Sequence, residues 1–157
     1  MTTRKREADL KKANNLFKKI ISVLKPPPKL TIDEWADNYR ILSSKTSAEP
    51  GRWNTDRVPF QREVMKAISD KQTEKVIMMY GAQLSKTELL LNTFGHHADY
   101  DPAPIMFLMP TQKMAEDFAT TRLNDMILST PQLKSKIIEN EMSRDTKTQK
   151  DFPGGYI

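Results

Sequence analysis

The chain has 157 residues, 38 % apolar and 29 % charged, which fits one domain with its own core and leaves no room for two. It has no cysteine, so disulfides and thiolate metal sites are excluded, and a reducing cytoplasm is a compatible home. No run approaches the roughly 18 consecutive apolar residues of a membrane helix, and the N-terminus lacks a signal-peptide core. The formal charge of +5 is unevenly placed: residues 1–29 carry nine Lys/Arg against two Asp/Glu, and the remainder is slightly acidic.

Leu10, Ala13, Phe17, Ile20, Ile21 and Leu24 recur at helical spacing and predict a basic amphipathic helix over residues 7–24. Pro26-Pro27-Pro28 ends it, because three residues without N–H donors cannot continue a helix. Two readings stay open: a solvated helix docked on its own domain, or an arm that attracts a partner protein or the DNA backbone. Thr31 and Glu34 have the spacing of a capping box and predict a short helix through Arg40, with Trp35 and Tyr39 packed on one face. Residues 43–58 read as an extended loop with a turn at Pro50-Gly51. Pro59 opens another helix at its permitted first turn, with Phe60, Val64, Ala67 and Ile68 as the expected buried stripe.

Val76-Ile77-Met78-Met79 reads as a strand, and Leu89-Leu90-Leu91-Asn92-Thr93-Phe94 as part of a helix reaching about His97. Between them lies Tyr80-Gly81-Ala82-Gln83-Leu84-Ser85-Lys86-Thr87-Glu88. A tight strand-to-helix turn ending in Lys-Thr suits a nucleoside triphosphate. Backbone N–H groups and the helix N-terminus would meet phosphate, Lys86 would reach the β/γ oxygens, and the Thr87 hydroxyl would meet Mg²⁺. The usual glycines are displaced: their positions hold Tyr80 and Ser85, and Gly81 comes one residue late. Strand–turn–helix elements of this composition also occur in proteins that bind no phosphate, so the loop alone leaves both readings open.

Ile105-Met106-Phe107-Leu108-Met109 reads as a second strand, buried on both faces. A helix follows from about Gln112 to Leu128, and Leu133 to Ile138 reads as a short one. Residues 139–150 form a polar loop or strand edge, and residues 151–157 open like another strand. Strand–helix–strand–helix order predicts an α/β fold with a parallel sheet and right-handed crossovers. His96-His97 suits the end of its helix better than a metal site, since adjacent helical histidines diverge. No nucleophilic triad is present. The Asp-Glu pair that ATP hydrolysis requires at the end of a buried strand is also missing; Ile137-Ile138-Glu139 is the nearest match.

Taken in order, these motifs resemble the large terminase subunit of tailed bacteriophages, specifically the N-terminal part of the packaging ATPase domain in the lambda-type GpA family. The resemblance spans residues 30–157. It is carried by Leu30-Thr31-Ile32-Asp33-Glu34-Trp35-Ala36, Glu49-Pro50-Gly51-Arg52-Trp53, Pro59-Phe60-Gln61 and the loop from Gly81 to Glu88. Further on it rests on Phe107-Leu108-Met109-Pro110-Thr111 with Ala115 and Phe118, and on Phe152-Pro153-Gly154-Gly155.

The resemblance implies a P-loop NTPase-like parallel sheet that binds ATP and Mg²⁺ through Gly81, Ala82, Gln83, Leu84, Ser85, Lys86 and Thr87, with Gln61 beside the adenine, though a solvent-facing glutamine on the first turn of a helix is the other reading of that residue. Thr111 would fall in a segment facing DNA, though a helix N-cap explains it equally well. The implied setting is the host-cell cytoplasm, and the implied partners are double-stranded DNA, the small terminase subunit and the portal of the procapsid. Residues 1–29 would be the docking helix and Pro linker, and residues 30–157 the N-terminal portion of the ATPase domain. Two features depart from the family. The loop has no early basic residue, and the Asp-Glu strand, coupling motif and nuclease domain are not in these residues. The expectation is weak nucleotide binding at most, without turnover. A non-catalytic DNA- or partner-binding module, a helicase-like ATPase fragment and an inactive remnant are the alternatives.

Overall fold

The computed structural model describes Asn14, Phe17, residues 30–137 and residues 149–157. The predicted N-terminal helix and the stretch after Ile137 lie almost wholly outside the described residues; Asn14 and Phe17 are helical and exposed. Helix α1 (Ile32–Tyr39) begins at Thr31, whose backbone N–H donates to the Glu34 carboxylate at 3.0 Å, as the capping-box spacing predicts. A short antiparallel ladder follows, β1 (Ile41–Leu42) on β2 (Gly51–Arg52). Gly51 sits at φ +126°, a backbone conformation that side chains rarely adopt. A 3₁₀ turn (Thr55–Arg57) leads through Pro59 into α2 (Phe60–Ser69).

The buried face of α2 is not the predicted one. Phe60 is exposed and Val64, Ala67 and Ile68 are half-buried, while Gln61 and Met65, four residues apart, are fully enclosed. Counting only apolar residues rotates the stripe, because the polar Gln61 belongs to it.

Helix α3 (Lys86–Asp99) is the central element, with α1, α2 and α6 (Pro131–Ile137) packed on it. Ahead of α6 runs one helical rod, α4 (Gln112–Asp117), a π-helical segment (Phe118–Leu123) and α5 (Asn124–Ser129). Thr111 caps it, its hydroxyl accepting from the Met114 N–H at 3.2 Å. The chain closes with the hairpin β3 (Asp151–Phe152) and β4 (Gly155–Tyr156), turned through Gly154 at φ +90°. The main core joins Trp35, Leu91, Phe94, Met126, Leu133 and Phe152; a smaller one joins Ile32, Met65 and Leu89.

Among the described residues, the predicted parallel sheet is not found. The only sheets are the two antiparallel pairs, and residues 76–79 and 105–109 carry no ladder. Ile105 alone donates its N–H to Tyr156 O at 2.9 Å. Apolar side chains on both runs meet solvent: Ile77 is 73 % exposed, Met79 93 %, Met106 79 % and Leu108 86 %. A strand buried on both faces needs hydrogen-bonded neighbours on either side and a covering layer on each face; here Met78, Ile105 and Phe107 pack on the core while the opposite face is bare. No helix among the described residues is long and apolar enough to cross a membrane.

Both ends of α1 and α3 are tied together. Near the C-terminus of α3, the Trp35 indole N–H donates to the Asp99 carboxylate at 2.7 Å, and Lys136 pairs with the same carboxylate at 2.7 Å. Gly95 lets the indole lie directly against the helix. A Cβ there would stand 2.6 Å from Met126 Cε and nearer still to the Trp35 ring. Gly95→Ala should therefore destabilise the fold by about 1–3 kcal/mol through overpacking, outweighing its gain in helix propensity. A denaturant midpoint equal to or above the parent's would refute this.

His96 is buried, with Nε2 2.9 Å from Leu30 O and Nδ1 lacking a partner. The carbonyl only accepts, so Nε2 carries a proton. Burial pushes its pKa below the usual imidazole value, against the pull of the Leu30 carbonyl and of Asp99 and Asp101; His97 adds to the lowering. As pH falls through the ordinary value of about 6.5, the unfolded chain takes up this proton and the folded chain resists. Thermal stability should decline between pH 7.5 and pH 5, with a shallower decline in His96→Gln; parallel profiles for the two proteins would contradict this.

Candidate nucleotide-binding loop

Residues 80–85 run without regular structure from the first apolar run into α3, and Lys86 and Thr87 form its first turn. Gln83 (φ 57°) and Ser85 (φ 53°) are the only non-glycine residues described at positive φ. Such residues cost about 1–2 kcal/mol each unless their surroundings impose the conformation. Ser85 occupies the position where the common phosphate-loop pattern has glycine, and it adopts the left-handed geometry that glycine would supply without strain.

Lys86 does not extend into solvent. Its side chain folds back over the loop, and Nζ donates to Tyr80 O at 3.2 Å and Gly81 O at 3.0 Å. The ammonium thus closes the loop's two ends into a ring, at the N-terminus of a 14-residue helix whose dipole favours an anion. Gly81, Ala82, Gln83, Leu84 and Thr87 are exposed, and Ser85 and Lys86 are half-buried. The seven loop residues predicted from the sequence form one contiguous, largely exposed turn at the head of α3.

Gln61, the eighth, lies behind the loop. It is fully buried, and its Nε2 donates to Ser85 O at 2.9 Å and Leu84 O at 3.3 Å. Its Oε1 is buried without a partner. One residue earlier, the Phe60 ring meets Tyr80 edge-on, centroids 5.8 Å apart. The first turn of α2 thus touches both ends of the loop. Beside Ser85 opens a cavity of about 210 Å³, bordered by Ser47, Glu49, Trp53, Arg57 and Val58.

Sequence reasoning missed Arg40, which it treated only as the end of a helix. The residue is 2 % exposed. Its guanidinium pairs with the Glu88 carboxylate, donates to the Asn92 side-chain oxygen, and donates to Glu88 O at 3.0 Å. The Trp53 ring lies 5.0 Å from the guanidinium carbon. Burial lowers the Arg40 pKa and Glu88 pulls it back, and an arginine keeps its charge in either case. Glu88 follows Lys86-Thr87 directly, so Arg40 anchors the turn that carries them. A Glu two residues after the lysine was the available signal; nothing local marked its partner.

No group of three or more His, Asp or Glu side chains placed to hold a metal exists among the described residues. Thr87 offers a single hydroxyl, so Mg²⁺ would depend on phosphate oxygens and water for its other ligands.

A family model described as "Phage terminase large subunit gpA, ATPase domain" matches residues 47–157. The chain belongs to this family. Two curated relatives are the terminase large subunits of Escherichia phage lambda and Enterobacteria phage P21, each 28 % identical over 112 residues. The alignment covers 71 % of this chain and 17 % of either relative, so the chain spans about a sixth of their length. No solved structure gives a significant match. The matched region contains the whole loop, Gln61 and Glu88, whereas Arg40 precedes it.

Arg40→Ala would leave Glu88 and Asn92 facing a hole without their cation. A loss of roughly 3 kcal/mol in unfolding free energy is expected, at the low end for a broken buried pair because Glu88 is partly solvated. Chemical denaturation measures it, and a loss below about 1 kcal/mol would show that the pair contributes little.

Proposed function

We propose that residues 80–87 bind the phosphates of ATP, and that the chain provides the ATP-binding part of a motor that moves viral DNA into a procapsid. The observation that carries this reading is the Lys86 ammonium, held across a curled loop at the head of α3 by the Tyr80 and Gly81 carbonyls. Those carbonyls hold the amine where an anion entering the loop would meet it. Lys86 would bind the β/γ phosphates, Thr87 would bind Mg²⁺, and the backbone amides from Gly81 to Ser85 would line the remainder. The cavity beside Ser85 would take the nucleoside. Bound Mg²⁺ would supply charge neutralisation at the phosphates; every other contribution named here comes from the chain.

The same reading takes residues 76–79 and 105–109 as inner strands of a parallel sheet. The bare apolar side chains Ile77, Met79, Met106 and Leu108 support it. Residues 1–29, with their concentrated positive charge, are proposed as the docking segment for the small terminase subunit. Double-stranded DNA and the portal are the further partners, in the cytoplasm of a bacterial host.

Isothermal titration of ATP with Mg²⁺ into the full chain tests the central claim. Binding should weaken about 10- to 100-fold in Lys86→Ala, the loss expected for one charge-assisted contact to phosphate. Equal affinity in the two proteins, or no binding by the parent at millimolar ATP, would reject it.

A further inference from the structure

Gln61 stands apart from the other residues predicted to touch nucleotide. It is sealed from solvent, and both N–H bonds of its carboxamide go to consecutive main-chain carbonyls, Leu84 and Ser85. Those carbonyls settle the orientation of the amide, because two acceptors must face the NH₂ end. Its oxygen is left buried without a donor. The polar contacts of this carboxamide are therefore those its nitrogen makes.

Peptide geometry says what those contacts do. In a planar trans peptide the C=O and the following N–H point in opposite directions, and no cis bond is present here. Drawing Leu84 O toward α2 therefore turns the Ser85 N–H toward the loop's opposite side. Drawing Ser85 O the same way turns the Lys86 N–H with it. Ser85 O already accepts the Leu89 N–H at 3.2 Å as the first bond of α3, so Gln61 adds a second donor at that oxygen. The left-handed φ of Ser85, unfavourable for a residue with a side chain, lies between the two restrained peptides. Phe60 against Tyr80 steadies the loop's other end from the same helical turn.

We infer that Gln61 is a positioning residue that holds the Ser85 and Lys86 amides toward bound phosphate, and that it acts without contacting the base. The inference rests on the nucleotide reading of the loop. It assigns the first turn of α2 the work that glycine's conformational freedom would do at position 85. It also predicts that the nucleotide's base is irrelevant to the effect of changing Gln61.

The experiment titrates the full chain with three Mg²⁺-loaded probes: ATP, GTP and inorganic tripolyphosphate. Gln61→Met keeps the volume and removes the donors. It should weaken all three by a common factor of about five, leaving the ATP-to-GTP ratio unchanged. Its thermal midpoint should stay at or above the parent's, because the unpaired oxygen is removed as well. Gln61→Glu supplies a second readout. Ionised, it sets a carboxylate against two carbonyls; protonated, it regains one donor. Its tripolyphosphate affinity relative to the parent should therefore recover as pH is lowered from 8 to 6.

Loss of ATP binding alone, with tripolyphosphate untouched, would assign Gln61 to the base and overturn the inference. Unchanged affinity for all three probes would overturn it too. Should Gln61→Met lack a cooperative transition, the pH profile of Gln61→Glu decides, and a flat ratio counts against the inference. A parent protein that binds none of the probes fails the nucleotide reading itself, an outcome distinct from all of these.

Discussion

The position of the loop depends on how the first turn of α3 is held, and the Arg40 guanidinium holds it. Three of its contacts fall on Glu88 and Asn92, within the first two turns of the helix, while Trp53 lies beside its cation. A charge this deeply buried is tolerated only with acceptors close by, and although Nε has none, both terminal nitrogens are engaged, so α1, the β1–β2 ladder and α3 must stay in register. Two residues before Glu88, Lys86 starts the turn and reaches back to the loop's first carbonyls. The loop is thereby strung between a fixed helix and the strand-like run before it. Two left-handed residues within it follow from that restraint, since neither Gln83 nor Ser85 would adopt the conformation unaided.

Beneath this site the packing is helical. Trp35 fills the space that Gly95 leaves open, and Asp99 joins the Trp35 indole to Lys136. The two apolar runs expected to form the sheet instead leave Ile77, Met79, Met106 and Leu108 in solvent. A surface of that kind is uncommon in a self-sufficient domain and typical of one that meets further structure.

Membership of the gpA ATPase family and the loop geometry bear on different questions. The family match says which kind of domain this is; the loop says how such a domain tolerates a serine at its last turn before the lysine. The answer offered by the structure is a neighbouring helix that contributes donors to carbonyls. A loop built on glycine keeps its shape by lacking steric conflict, whereas this one needs support from outside itself.

Much of the helical outline was legible in the sequence because its signals are local. Thr31 with Glu34, Pro59, and Thr111 each marked a helix start within a residue, and the loop was recognisable from contiguous residues. Local signals fail where a residue's role depends on a distant partner. Gln61 lies 24 residues from Ser85, and Arg40 lies 48 from Glu88. A polar side chain on an apolar stripe looks exposed until the acceptors that bury it are known, and an arginine at a helix end looks solvated until its carboxylate is in place. The parallel sheet is not formed among the described residues for the same reason, since an apolar run states that a strand is suitable and only a neighbouring strand can make it one. The sequence by itself determined where most of the described helices start and which residues form the loop; tertiary structure alone decided what holds that loop in shape, because hydrogen bonds between remote residues leave no periodic trace in the chain.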